Sequence, residues 1–437
     1  MSAVCLLGAT VAHAGPYSLV PTAAEPNNSV DLHLRLDYEY QVDTANVMRE
    51  VLGTEQPLDP IKLNRDLTFH QVRHLLTPTA ELGLYHDSWL SFALPIVVSQ
   101  SRELELDGID RGDSTTLING LLPMTGFDAR DPGTMPPGGL VFRGITRKGL
   151  DQIHAGLNVA PMNQARDPSK PTWKMGAEVR LAIGKIMKFD PMQPGAETGV
   201  GRGVHELRLW TSFARRLSRV EGWTEVFWQV PLHAKPDSLF TDPGFGSTNT
   251  GLGQQAGVKM GLELFALDDA ANNNRIGIDL GAKAIAHFEG RDYSEMWEVF
   301  AFAGDSRGTG PLVLDADPTD PGLQALSHPG ISNIENYLET GAHLAVQAEL
   351  GTFVRFGASF DLVWKTDHVI SFADAGVDLP TCAQGVGACE DDDNDLVNPG
   401  TPEVNPLHVP RIDLVGHRYH SVDNFGVVVG VMGQLLF

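Results

Sequence analysis

Ionisable side chains recur at every second position along several stretches of this 437-residue chain. In VDLHLRLDYEY (Val30–Tyr40), Asp31, His33, Arg35, Asp37 and Glu39 alternate with Leu32, Leu34, Leu36, Tyr38 and Tyr40. The same spacing puts Glu178 with Arg180, Glu206 with Arg208, and Lys259 with Glu263. It also aligns Asp279, Lys283 and His287 in RIGIDLGAKAIAHFE, and Arg355 and Asp361 in VRFGASFDLVWK. A period of two is strand geometry, with alternate residues on opposite faces. Charges of both signs on one face can pair across neighbouring strands. They can also line a pore and bias which solutes pass. Both readings are open for these residues.

Other chemistries are less well supported by spacing. A nucleophilic site needs a hydroxyl or thiol, a base and an orienting group. Ser212, and Ser359 two positions from Asp361, are the serines to consider, and no histidine shares either local pattern. Gly199-Val200-Gly201-Arg202-Gly203 lacks the spacing of a phosphate loop and reads as a loop entering a strand. Arg111-Gly112-Asp113 spells an attachment tripeptide in a loop. The run Glu390–Asp395 offers Asp391, Asp393 and Asp395 as hard-oxygen ligands for calcium in an outer loop, against the plain reading of a solvated acidic loop. Cys382 and Cys389 flank a short Gly-containing loop, and in an exported protein this spacing suggests a disulfide. Leu117, Ile118, Leu121, Leu122 and Met124 form an apolar patch in a long link. Such a patch avoids water, so a plug in the mouth of the fold is expected, with Tyr293–Phe302 as a second plug segment. No catalytic residue and no resident cofactor other than that calcium follow from these patterns.

The elements that carry the alternating charges are long. Twelve strands are expected, at 30–42, 67–85, 88–104, 150–161, 171–187, 204–217, 222–234, 254–267, 274–289, 338–350, 352–369 and 424–437. Ten residues or more is long for a soluble sheet, where five to six is usual. The links alternate. Those near 86–87, 162–170, 218–221, 268–273 and 351 are short; 43–66, 105–149, 188–203, 235–253, 290–337 and 370–423 are long. Short inner turns and long outer loops belong to a transmembrane barrel. The fold class is therefore all-β: one antiparallel transmembrane β-barrel of about twelve strands, with apolar faces toward lipid. The final strand, FGVVVGVMGQLLF (Phe425–Phe437), keeps Phe425, Val427, Val429, Val431, Leu435 and Phe437 on one face. It must close the barrel against the first strand.

Composition fits this class. The net charge is −23, which argues against nucleic-acid binding. Hydrophobic residues make up 42%, and no apolar run reaches the length of a transmembrane helix. Barrel strands need apolar residues only at alternate positions. Residues 1–14, ending Ala12-His13-Ala14, read as a signal peptide, although no Lys or Arg precedes the apolar part. Residues 15–29 are expected as a periplasmic segment and 30–437 as the barrel, in a bacterial outer membrane.

Three pieces of sequence carry a resemblance: Thr79–Val98 (TAELGLYHDSWLSFALPIVV), KMGAEVRLAIGKI followed by TGVGRG, and HELRLWTSFARRL followed by WTEVFWQVPL. On these the chain resembles outer-membrane channels of phenol meta-pathway degradation and, more distantly, long-chain fatty-acid transporters. The family has Pro-Thr-Gly near the end of the second piece, where this chain has Lys185-Ile186-Met187. The resemblance implies passive passage of small solutes, among them hydrophobic or aromatic ones. A terminal aromatic on the last strand resembles the signal read by the outer-membrane assembly machinery. Two rival functions stay open: a closed barrel that binds a partner or calcium through acidic outer loops, and a barrel-embedded hydrolase.

Overall fold

The computed structural model describes residues 17–21, 31–52, 61–240, 251–269, 271–308, 310–315, 322–372 and 408–437. Twelve antiparallel staves close on themselves. In chain order they are β1 (Leu32–Val51), β2 (Lys62–Tyr85), β3 (Ser88–Ala93 and Ile96–Leu106), β4 (Arg147–Leu150 and Gln152–Met162), β5 (Thr172–Ala182) and β6 (Val204–Leu217). Then follow β7 (Val220–Ala234), β8 (Gln255–Asp269), β9 (Asn274–His287), β10 (Tyr337–Leu350), β11 (Val354–Lys365) and β12 (Tyr419–Leu436). Each stave pairs with its chain neighbours, and β12 pairs with β1 from His33↔Leu436 to Arg49↔Tyr419. Among the described residues, closure leaves the barrel with no unpaired edge, which is what allows a sheet to cross a bilayer.

The break in β3 falls at Leu94-Pro95, since proline cannot donate to the ladder. The end at which β1 begins and β12 finishes also carries the short turns. Four of these place a residue in the left-handed region: His86 (φ 47°), Ser218 (φ 57°), Asn273 (φ 52°) and Gly351 (φ 63°). Such conformations match the twist of tight hairpins. The last residue sits in the seam itself: Leu32 N–H donates to Phe437 O at 3.1 Å, and Phe437 N–H donates to Leu32 O at 3.0 Å.

The outer surface is apolar. Leu36, Leu157, Val226, Leu262, Leu280 and Val431 are all exposed there. Trp228, Trp364 and Phe425 are exposed toward the outer rim, and Phe353, Phe356 and Phe437 toward the inner one. An apolar band between aromatic girdles is the lipid-facing surface of a membrane barrel.

Several boundaries differ from the expected ones, and three of them have a clear physical cause. Residues 43–51 and 62–66 are strand rather than link, so β1 and β2 rise beyond the membrane as a ribbon. Their inward residues change there from Glu39, Gln41 and Asp43 to Ala45 and Val47, which are buried. Above that point the inward face meets loops instead of water. The end of β5 is earlier than expected, at Ala182. Gly184 then packs its backbone on Leu150, and a Cβ there would lie 1.7 Å from Leu150 O.

The loops over the outer end form an apolar cap. Leu117, Leu121, Leu122, Phe142, Val299 and Phe300 are fully buried in it against Val47, Leu67 and Phe69 of the ribbon. The cap contains α1 (Thr115–Ile118) and α2 (Trp297–Ala303). Asp66 of β2 anchors α1, accepting from Ser114 Oγ (2.6 Å), Thr115 Oγ1 (2.6 Å), and both N–H and Oγ1 of Thr116 (3.1 and 2.8 Å).

Candidate functional site

The inward face encloses a chamber of about 840 Å³. Alternation dictates its lining: once one inward residue is set, every second residue along a stave follows. β1 contributes His33, Arg35, Asp37, Glu39 and Gln41; β5 contributes Lys174 and Glu178. Arg208 comes from β6, Glu225 from β7, Lys259 from β8, Lys283 from β9, and Arg355 and Asp361 from β11. β12 contributes Val428, Gly430, Met432 and Gln434, and the bare Gly430 leaves room for its long neighbours.

Most charges pair locally. Arg35 meets Asp37 at 2.6 Å, Arg180 meets Glu178 at 2.7 Å, and Arg208 meets Glu225 at 2.6 Å. Lys283 meets Glu339 at 2.7 Å, and His343 Nδ1 meets Asp361 at 2.7 Å. Three lining groups have no ion-pair partner within 4 Å among the described residues: Lys174, Lys259 and Glu39. Lys174 Nζ donates to Leu19 O at 3.5 Å, and Glu39 accepts from Gln41 Nε2 at 2.7 Å.

Of the fourteen residues expected along the pore, nine line this chamber: His33, Arg35, Glu39, Glu178, Arg208, Lys259, Lys283, Arg355 and Asp361. Five point inward but do not line it. Arg180, Glu206 and His287 sit toward the outer end, Glu206 holding Gln152 and Gln229 at 2.7 and 3.0 Å and His287 stacking on Tyr337 at 4.2 Å. Glu263 and Asp279 face each other in register between β8 and β9, and Tyr17 covers Asp279. Parity finds the face of a residue, not its depth, and depth decides which residues reach the open space.

Tyr17 belongs to the segment expected to hang in the periplasm. Tyr17–Pro21 instead enters the barrel and lines the inner end of the chamber. The Tyr17 ring stacks on Trp223 at 4.3 Å, its hydroxyl donates to Asp279 Oδ2 at 2.5 Å, and Trp223 Nε1 donates to Asp279 Oδ1 at 2.9 Å. Val20 packs against Trp89 and Ala160, with Trp210 alongside. No sequence signal marks this segment, because a stretch of five residues in no regular element has no period.

At the outer end the plug candidates divide. Leu117, Leu121 and Leu122 are buried in the cap, whereas Ile118 and Met124 are 59% and 49% exposed and point away from it. Below α2 lie charges that sequence reading missed. Glu298 pairs with Arg147 at 2.8 Å with both side chains buried, and Trp297 lies under the guanidinium groups of Arg147 and Arg102, at 5.0 and 5.7 Å. Arg102 donates to Ser294 O at 2.6 Å. A smaller space of about 110 Å³ is lined by Asp43, Gln71, Arg102, Glu295 and Lys365 among others, with Ala45 and Phe69 of the cap cluster beside them. In the loops above, burial and the nearby Arg291 charge push the His328 imidazole down to about 3. Its Nδ1 accepts from Gly330 N–H at 2.9 Å. An Arg307–Asp190 pair at 2.5 Å joins two outer loops, and Arg307 holds the Asp190 carboxyl below its usual range.

The other candidate chemistries gain nothing. Ser212 Oγ is buried without a hydrogen-bond partner, and among the described residues neither Ser212 nor Ser359 is hydrogen-bonded to a histidine. Gly199–Gly203 is a loop bridged to Ile186 rather than the mouth of a helix. The Arg111 guanidinium is occupied by Met124 O and Leu140 O. The signal peptide, Cys382, Cys389, Asp391, Asp393 and Asp395 lie outside the described residues.

A closed antiparallel barrel with an apolar belt and an ionisable interior is a bacterial outer-membrane barrel, and its architecture places this chain in that membrane. No protein-family model and no curated protein matches the chain. Among solved structures, an outer membrane channel from Pseudomonas putida F1 is 8% identical over 97% of this chain and 99% of that one, with a TM-score of 0.38. A FadL homologue from Pseudomonas aeruginosa is 9% identical over 93% and 90%, with a TM-score of 0.33. The outer membrane protease OmpT from Escherichia coli is 6% identical over 93% and 97%, with a TM-score of 0.26. Likenesses this weak carry no weight for function, and the barrel rests on its own strand pairing.

Proposed function

We propose that this protein is an outer-membrane channel for passive passage of small solutes, gated at both ends. The observation that carries the reading is the chamber of about 840 Å³ inside a closed barrel, walled by side chains that water and polar solutes can hydrate. A barrel whose only task is to hold surface loops gains little from so large a polar interior, since filling it with packed side chains is the more stable solution. Tyr17–Pro21 is the inner gate and the α1–α2 cap the outer one. Aromatic solutes fall within the proposed range, because Trp89, Trp210, Trp223 and Tyr17 meet at the inner end and ring faces stack favourably on ring faces. The C-terminal strand, with Phe437 in the closing seam, is the segment proposed to engage the assembly machinery.

The test is single-channel conductance in a planar bilayer, comparing the wild-type chain with a variant lacking residues 17–21. Small, discrete, salt-dependent steps are expected for wild type, and larger steps for the deletion. A folded barrel that stays silent in both forms would overturn the channel reading.

A further inference from the structure

The charges around the chamber are sorted by wall. Histidines aside, β5 to β9 present four cations, Lys174, Arg208, Lys259 and Lys283, and two carboxylates, Glu178 and Glu225. The wall from β11 through the seam to β2 presents two cations, Arg35 and Arg355, and four carboxylates, Asp37, Glu39, Glu81 and Asp361. In a ring of twelve staves these walls face each other. Between them β3, β4 and β10 line the chamber with Trp89, Ser91, His154, Asn158, His343 and Gln347, and with no Lys, Arg, Asp or Glu.

Local pairing sharpens the contrast. In the register Glu225↔Lys259↔Lys283, Glu225 is taken by Arg208 and Lys283 by Glu339. Lys259 is left without an ion pair on the cationic wall, as is Lys174. Glu39 is left without one on the acidic wall. Lys259 Nζ also lies 5.8 Å from the centre of the Phe227 ring, which holds the stem toward the chamber wall without neutralising the charge.

We propose that the chamber selects small zwitterions, molecules that carry a carboxylate and an ammonium group separated by a few bonds. The carboxylate would face Lys259 and Lys174, and the ammonium Glu39. The physical reason is symmetry. A lone anion or cation gains at one wall what it loses at the other, whereas a dipolar solute aligned across the chamber gains at both. Low-dielectric walls focus such a field and strengthen it over its value in bulk water. The inference rests on the channel reading for passage but not for binding.

The experiment therefore has two arms on the refolded full chain. Calorimetric titration in detergent measures binding of 4-aminobutyrate, pentanoate and pentylammonium, which match in size and differ in charge. Proteoliposome swelling measures entry of the same three. Wild type is expected to favour 4-aminobutyrate over either ion by roughly 10-fold in both arms, the lower end of what a focused local field gives. K259E and E39K should each abolish the preference, and the milder K259Q should reduce it. The double swap K259E/E39K keeps the net charge but leaves three cations and three carboxylates on each wall, so it should also lack the preference, whereas a preference set by net charge alone would survive it. Salt conductance with equal entry and equal binding of all three solutes would overturn the inference and leave the channel intact. Absence of conductance and swelling would overturn the channel reading, and the titration would then decide the inference alone.

Discussion

His328 shows how one side chain ties the outer cap to pH. Its ring lies 4.1 Å from Phe372, its Nδ1 is an acceptor, and the charge that faces it is Arg291. Burial and that charge hold it neutral to about pH 3. The unfolded chain takes up the proton near the ordinary histidine value of ~6.5, so between these limits the unfolded state binds more protons. Stability contributed here is full above about pH 6.5 and falls as pH drops toward 3, by up to about 1.4 kcal/mol per pH unit. The thermal midpoint of the near-ultraviolet dichroism should fall over that window, and His328→Phe should flatten the slope. Equal slopes in both proteins would remove His328 from the account. Residues in the chamber follow a different rule: parity made His33, Arg35 and Lys259 legible as inward, and the same parity marks Lys174, which lies next to Trp173 on the opposite face.

At the scale of elements, α2 is held by a buried charge pair rather than by its own propensity, since seven residues are too few for a stable isolated helix. Removing one partner of a buried pair leaves the other uncompensated, at a cost of about 3–5 kcal/mol. Arg147→Met is therefore expected to open α2 locally, seen as faster amide exchange across Trp297–Ala303 at fixed pH. Replacing both partners, as Arg147→Met with Glu298→Leu, should return most of the protection because no charge is then stranded. Unchanged exchange in the single variant would show that apolar packing alone holds the cap. Tyr293–Phe302, which holds most of the helix, was legible as a plug segment of a long link. Its partner was not, because Arg147 is 151 positions away and begins a stave instead of forming part of a local pattern.

At the scale of the whole molecule, closure is the event that matters. The C-terminal residue completes the β12–β1 seam with two backbone bonds and turns its ring outward, 54% exposed to lipid. Deleting Phe437 removes these seam bonds and the terminal aromatic. In detergent, where refolding has no receptor, it should lower the yield of closed barrel only slightly, given the many remaining register pairs between β12 and β1. In cells it should reduce insertion into the outer membrane sharply if the terminal aromatic is read by the assembly machinery. Parallel measurement of heat-modifiable folded barrel in both settings separates the two roles. Equal loss in both would make Phe437 purely structural.

Sequence by itself determined the class of fold, the number of staves and which residues face inward. The physical reason is that a membrane barrel imposes one rule on every stave, apolar toward lipid and polar toward the lumen, and the turns repeat it at alternating lengths. The left-handed residues at His86, Ser218, Asn273 and Gly351 are local features of the same kind. Tertiary structure alone decided depth, closure and wall. It placed Glu263 and Asp279 at the covered inner end, seated Tyr17 against Trp223, and turned β1 from a polar to an apolar inward face at Ala45. It also set Lys259 and Glu39 on facing walls. These relations join residues hundreds of positions apart, through strand stagger and loop packing that no local period records.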